Sequence, residues 1–572
     1  MKSNKNTSRF WQILIAVFAY SIFFFAFTGL SPINLGSEIV GSGSDPYQYI
    51  WNADVFQKEL SAGSNPFHTN RLAYPRGVSL LMHTYTPIIG VVNTVIQNPY
   101  LSCNIVLWLS FVLSGLGAFL LAKRYVENII LCLLVGFVFS FAPYKTAHLL
   151  EHYHLLLTAT VPFFILILLR LFPKGKINFS KLDVIGIVGL FALGVVTVFS
   201  DYYTTFHLLY FAIGYFSFFY IRRLFTDWSL TKRILIVLGV FLVGHLALEH
   251  IHIQTDLDDK GAMYNTADLA SVVVPAENSK VYGHSALFQT ARKKSGYKGP
   301  NEQVMFFGFV LFVLFIISLF YIRTSEHKLL VYLSFFFLAL SLPKIKLLGI
   351  PITYSPTGIF HYLPFLNNIR NPSRAVSLVY LFVPIVVAIF LNNVKQIKMV
   401  KWQNMLYAFL FMITVVEYWP QNYPRIMRSA VSDYYSDVGK DENVKVIWEV
   451  PTGVQDGFVA AGTFDILNLQ QQIEHKKNLL GGYISRLDSS YFQDFREDKV
   501  FSFVNNPHQE LSIPKENEVL EFLNHHNPDV VVVNHKDEES RDIVQLLLSK
   551  YIIKTEEHST ATIHYLGNYS IK

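Results

Sequence analysis

The chain has 572 residues, of which 52% are hydrophobic and only 15% charged, and its net charge is +6. So few charges over such a length exclude an ordinary soluble protein, and the modest positive balance reflects basic loops between apolar runs rather than a nucleic-acid surface. The two cysteines, Cys103 and Cys132, both fall within apolar runs, which argues for neither a disulfide nor a metal site.

The apolar residues come in blocks of about 17 to 22, the length that crosses a bilayer. They predict an α-helical polytopic membrane protein with roughly 11 spans. Lys2, Lys5 and Arg9 place the N-terminus in the cytoplasm. The first run, Phe10 to Leu30, is read as an uncleaved span because no convincing small-residue cleavage site follows it. A long outer segment, 31–102, comes next. In it Gly41-Ser42-Gly43-Ser44-Asp45-Pro46 leads into an aromatic helix expected to reach about Leu60. Asp45 is expected as the N-cap, Pro46 as the first helical residue and Gln48 as the capping-box partner. The run Val78 to Ile96 is apolar but is broken by His83, Thr84, Pro87 and Asn93, and is expected to be re-entrant or interfacial rather than crossing. If it crossed, Lys123-Arg124 and the basic stretch Lys174 to Lys181 would both lie outside.

Further spans are expected to emerge at Tyr144-Lys145, descend to Arg170, rise to Ser200-Asp201-Tyr202-Tyr203 and descend to Arg222-Arg223. Outer loops are expected at Ile251 to Gln303 and around Asn367 to Arg374. The last span ends near Trp419, so that 1–424 forms the membrane domain. Beyond it the composition turns polar. Lys445 to Val450 and Asp529 to Val533 read as strands, and Asn517 to His526 and Arg541 to Tyr551 as helices, which makes 425–572 an extracytoplasmic α/β domain. It has no glycine-rich phosphate loop and no nucleophile elbow.

This topology gathers Asp45, Glu151, Asp201 and Glu302 at the outer ends of spans, with His83, His152, His154, Arg71, Arg76, Arg370 and Arg374. Ionisable groups near a bilayer are costly unless paired or working, so one outward-opening cavity could hold them. Each has a plainer role: Asp45 as a cap, Glu151 and His154 as a polar span end, Asp201 and Tyr202 as a capped aromatic anchor. Arg370 and Arg374 could anchor the headgroup region, yet Arg suits a lipid phosphate and here opposes the positive-inside bias.

Ser44-Asp45-Pro46-Tyr47, Asn65-Pro66-Phe67, Tyr74-Pro75-Arg76-Gly77, Phe141-Ala142-Pro143-Tyr144 before His148, Ser200-Asp201-Tyr202-Tyr203 and Arg370-Asn371-Pro372-Ser373-Arg374 together form a pattern. It resembles bacterial multi-span proteins of the GT-C glycosyltransferase superfamily. The resemblance implies a transferase of the bacterial inner (plasma) membrane that takes sugar from a polyprenyl-phosphate-linked donor. The acceptor would be a glycan, lipid or protein on the outer side. It makes Asp45 the general base of an inverting transfer and implies no nucleic-acid partner. That superfamily often has two adjacent acids in this loop, whereas Pro46 follows Asp45 here. The leaving lipid phosphate needs a cation: Arg370 and Arg374, then Arg71 and Arg76, or instead a divalent cation (Mg or Mn) held by Glu151 or Asp201. Glu302, His83, His154 and Tyr202 are further candidates for cavity, metal or acceptor contacts. An exposed Asp45 would titrate near the usual carboxylate value and be ionised at neutral pH. Two other classes remain open, a transporter or binding protein for lipid-linked glycans and a scaffold. A transporter should show polar residues along several spans and internal symmetry, and neither is apparent.

Overall fold

An apolar run in a bilayer must satisfy its backbone hydrogen bonds within itself, which a helix does. In this computed structural model, which describes residues 2–81, 83, 85–173, 181–249, 265–297, 302–362, 371–394, 400–505, 512–535 and 538–567, the long runs are helical. Six helices among the described residues are long and apolar enough to cross a membrane: Arg9–Thr28, Pro99–Ala122, Ile129–Leu150, Tyr153–Leu171, Tyr202–Leu224 and Pro372–Asn393. They make the chain an integral membrane protein. Arg370, the basic loop from Lys174 to residue 180 and the whole of 251–264 lie outside the described residues.

The expected count of about eleven spans and the outer C-terminus rest on the loop charges. A reporter active only in the cytoplasm, fused after Lys572, is expected to be silent. A bright fusion would mean that a segment has been miscounted.

The Val78–Ile96 stretch supplies a two-residue strand, Val78–Ser79, and a ten-residue helix, Pro87–Ile96. That helix is about 15 Å long, half a bilayer core. It packs instead on the helix Asp45–Ser61, where the Asn93 amide donates to the Ala53 carbonyl at 3.0 Å. Gly90 lies so close against the Phe56 ring that no side chain fits between them.

The polar C-terminal region contains a five-stranded sheet. Val446–Val450 and Val530–Asn534 run parallel at its centre, and Ala561–Leu566 pairs antiparallel with the latter. Every residue of Val446–Val450 and the first four of Val530–Asn534 are buried, which fits their near-continuous apolar sequence. The helices Glu516–His526 and Glu538–Leu548 fall where the polar–apolar periodicity predicts them.

This region is joined to the 31–98 segment by backbone pairing. Glu38–Val40 runs antiparallel to Arg425–Met427. Ala73 and Tyr74 donate to the carbonyls of Gly481 and Leu479, and Leu479 donates to that of Arg71. The Trp51 indole donates to Gln472 Oε1 at 2.5 Å, which fixes the Asp45–Ser61 helix to the helix Leu467–His475. Asp45 therefore stands at a junction of loop, membrane helices and sheet region.

Candidate active site

The loop before Asp45 is held on both sides, Gly41 donating to the Pro424 carbonyl and Ser42 to that of Leu150. Gly43 has φ +73°, and a Cβ there would collide with the Glu151 carboxylate. Glycine thus lets the loop lie directly against Glu151. The helix begins at Asp45 with Ser44 as its N-cap, one residue earlier than predicted. The correction matters chemically. Among the described residues no backbone N–H donates to the Asp45 carboxylate, so it caps nothing. Gln48 does reach back three residues, but its amide donates to Asp45 Oδ1 at 3.2 Å rather than to a backbone group.

The expectation of an exposed Asp45 also fails. Its side chain keeps 18% of its surface. Burial, and then the neighbouring Glu151 carboxylate, push its pKa up to about 7, against the opposing pull of Arg374 and Gln48. The group therefore changes charge near neutrality.

Beside it the chain breaks after Phe141. Pro143 starts a short helix, Pro143–Ala147, followed by single 3-10 turns at His148–Leu150 and Tyr153–Leu156. These turns carry His148 and His152 toward Glu302. His148 Nδ1 lies 2.6 Å from the Tyr144 carbonyl, so Nδ1 carries the proton and Nε2 faces Glu302 Oε2 at 3.7 Å. His152 Nδ1 lies 3.9 Å from Glu302 Oε1, and its Nε2 lies 4.0 Å from Asp45 Oδ2. Burial drives the His152 pKa down to about 3, so this ring is neutral. Both His148 Nε2 and His152 Nδ1 are buried without a hydrogen-bond partner among the described residues. Two unpartnered imidazole nitrogens aimed at one carboxylate suit a cation, and with Glu302 their ligand atoms lie within 4.8 Å of one another. Ligands of one ion at about 2.1 Å span at most about 4.2 Å, so a small closure completes the set. Imidazole donors suit ions such as Zn, Fe or Ni, whereas Mg and Mn favour oxygen ligands.

Glu302 has a second partner. Arg374 Nη2 and Nε lie 2.5 and 3.4 Å from its two oxygens, and the guanidinium rests 4.5 Å from the Tyr203 ring centroid. Burial is the strongest single influence and would raise the Glu302 pKa, but Arg374, His148 and His152 together outweigh it and hold the carboxyl well below the usual range. Asp45, Glu151, His148, His152, Glu302, Arg374 and Tyr203 thus form one cluster.

Other predicted site residues lie elsewhere. Arg76 donates to Asp494 and Ser490 and stacks on Tyr491, while Arg71 meets the Lys476 carbonyl and Glu59. Both face the C-terminal region because the chain from 71 to 77 runs along its edge. Asp201 does cap a helix: its carboxylate accepts from the backbone N–H groups of Tyr203 and Thr204 and from the Thr204 hydroxyl. Those bonds commit the carboxylate to the start of its helix. Tyr202, next to it, is exposed. His154 bonds the Tyr49 hydroxyl at 2.7 Å.

His83 is buried and links two parts of the chain. Its Nδ1 accepts from the Ser485 backbone N–H at 3.0 Å, which leaves Nε2 to donate to Asn52 Oδ1. Burial lowers its pKa to about 3, so Nδ1 stays free to accept. The Ser485 hydroxyl donates to Gln48 Oε1 at 3.2 Å, which in turn orients the Gln48 amide toward Asp45. The C-terminal region thereby positions Oδ1 of Asp45 and leaves Oδ2 turned to His152. Sequence reasoning placed Gln48 as a capping partner but not on the Asp45 carboxylate, and it missed Ser485 and the central place of His148. The i, i+4 spacing of His148 and His152 was the available signal.

A family described as "Domain of unknown function (DUF6311)" matches residues 14–418. No curated protein matches the sequence. Among solved structures, the oligosaccharyltransferase AglB of the archaeon Archaeoglobus fulgidus, in complex with an inhibitory peptide and a dolichol-phosphate, aligns with a TM-score of 0.47 at 9% identity, over 99% of this chain and 75% of that one. ArnT from Cupriavidus metallidurans, bound to undecaprenyl phosphate, aligns with a TM-score of 0.42 at 11% identity, over 98% of each chain. Neither alignment assigns a role to a residue of this chain.

Proposed function

Because this chain belongs to the DUF6311 family, whose description carries no activity, its chemistry has to be argued from the cluster itself, and we propose that it is a GT-C-type membrane glycosyltransferase with a polyprenyl-phosphate-linked sugar donor and Asp45 as general base. One observation carries the reading. Asp45 is a half-buried carboxylate at a helix tip that caps nothing, titrates at about 7 and faces a cluster of imidazoles, acids and an arginine. A base works best when its pKa lies near the working pH. The sequence motifs around Asp45 and Arg374 support the same class.

In the proposed reaction, Asp45 Oδ2 removes the proton from an acceptor hydroxyl as that oxygen attacks the anomeric carbon. The bond from that carbon to the lipid phosphate breaks, and the sugar inverts in a single displacement. Gln48 holds Oδ1, so the proton is taken at a fixed place. Arg374 offers positive charge to the departing phosphate, with Glu302 and Tyr203 orienting its guanidinium. A divalent cation held by His148, His152 and Glu302 would add a Lewis-acid charge beside the same phosphate.

The test is the pH dependence of donor turnover by the purified protein in lipid. An Asp base is active only when ionised, so turnover is expected to fall as pH drops below about 7 and to level off above it. An added divalent cation would lower the inflection by favouring the ionised carboxylate. Turnover independent of pH across neutrality would remove Asp45 from the role. Donor binding without turnover at any pH would favour a carrier of lipid-linked glycans.

A further inference from the structure

Between the helices Ser325–Ser341 and Val376–Asn393 lies a β-hairpin that takes no part in the chemistry above. Lys344–Leu347 pairs antiparallel with Ile350–Tyr354. Leu348 and Gly349 form the turn with φ of +49° and +84°, the left-handed pair that a tight hairpin requires. The turn is fastened from outside: the Asp268 carboxylate accepts from the N–H groups of Leu348 and Gly349 at 3.0 and 2.8 Å. Thr266 donates to the Lys344 carbonyl, and Thr357, just past the hairpin, donates to the Ala339 carbonyl at the end of the preceding helix. The hairpin is therefore held at the level of that helix end.

Its surface is unusual for one facing water. Ile350 is 69% exposed, Ile352 57% and Tyr354 64%, and Leu347 and Leu348 are exposed beside them. All five residues of Ile350–Tyr354 are exposed, Ile352 being the extra residue of a bulge in the pairing, so its three large apolar side chains all stay on the surface. A patch of this kind needs an occupant, and an open apolar edge strand would otherwise pair with other chains. Three observations single out lipid. The helix leading into the hairpin also exposes Tyr332 and Phe335, and the neighbouring helix Phe309–Ser318 exposes Val313, Ile316 and Ile317, so the patch continues an apolar membrane-facing surface. Lys344 and Lys346 lie on the paired strand, with the Lys344 ammonium 5.9 Å from the Tyr354 ring centroid. Aliphatic side chains with a tyrosine and lysines are the composition of a bilayer interface.

We propose that the hairpin 344–354 is an interfacial membrane anchor, with Ile350, Ile352 and Tyr354 in the headgroup–acyl boundary and Lys344 and Lys346 at anionic lipid phosphates. The helix Ser325–Ser341, which ends at the hairpin, packs against the turn Pro372–Ala375 that carries Arg374, so the anchor lies on the Asp45 side of the membrane and holds the cluster at headgroup height. The proposal is independent of the transferase reading.

The test uses the full chain with Ile352→Cys carrying an environment-sensitive fluorophore, in nanodiscs containing phosphatidylglycerol. Cys103 and Cys132 are buried, and the chain without the new cysteine controls for their labelling. Lys440→Cys, on the exposed surface of the C-terminal region, is the water-facing control. The label at 352 is expected to emit to the blue of that control, to resist iodide several-fold better and to be quenched by lipids brominated high on the acyl chain. Equal iodide quenching at the two positions would overturn the anchor. So would protection at 352 that appears only as protein concentration rises, which would assign the face to a second copy of the chain.

Discussion

Glu302→Ala is expected to be among the most destabilising single changes in the membrane region. Glu302 joins Arg374, His148 and His152, and the Arg374 side chain keeps only 9% of its surface. Removing the carboxylate takes away the charge that pairs directly with a buried guanidinium and leaves only the more distant Asp45 and Asp201 carboxylates, and breaking such a pair costs about 3 to 5 kcal/mol when it is fully enclosed. Glu302 itself keeps 21% of its surface, so water relieves part of the penalty and about 3 kcal/mol is expected. Thermal unfolding of the purified variant measures the loss. Removing both charges with Glu302→Ala and Arg374→Met together should recover part of it, because no buried charge is then unpaired. An unchanged unfolding temperature in Glu302→Ala would show that the pair contributes little and that Arg374 has another counter-ion.

The position of this pair could not be read from the sequence. Charge bookkeeping places Glu302, Arg374, Arg71 and Arg76 on one side of the membrane, but side alone says nothing of lateral position. Arg374 and Glu302 meet because the 302 segment and the start of the helix Val376–Asn393 come together across 72 residues of chain. Arg71 and Arg76 reach the C-terminal region because 71–74 runs along its edge. Local signals did better. Asp45-Pro46 marked a helix start to within one residue, and the predicted end near Leu60 lies one residue from the observed Ser61. The strands at 446–450 and 530–534 followed from runs rich in β-branched and aromatic residues. The titration of Asp45 was out of reach, since it depends first on burial and then on Glu151, distant in the chain, lying under a loop that only Gly43 allows. The hairpin at 344–354 was hidden because Pro351 and a bulge after Ile345 interrupt its alternation.

Asp45→Asn is the other change with a large expected effect, and here the loss is in rate rather than in fold. Asparagine keeps the size of the side chain and can still accept from the Gln48 amide, but an amide does not take up a proton at neutral pH. Loss of a general base costs on the order of a hundredfold or more in rate. Stability should move little and in the opposite direction. A carboxyl whose folded pKa is raised to about 7 weakens the fold progressively as pH climbs from the ordinary carboxylate range through 7. Asparagine never ionises and escapes that cost, so the variant should match or slightly exceed the wild type above neutrality. Asp201 is already committed to its helix cap, which leaves Glu151 as the alternative base. The most direct measurement compares wild type and Asp45→Asn, reconstituted in lipid with a polyprenyl-phosphate-linked sugar and acceptor, for release of free polyprenyl phosphate at pH 8. The account predicts release by the wild type and a loss of about a hundredfold or more in a folded Asp45→Asn; equal release by both proteins would contradict it.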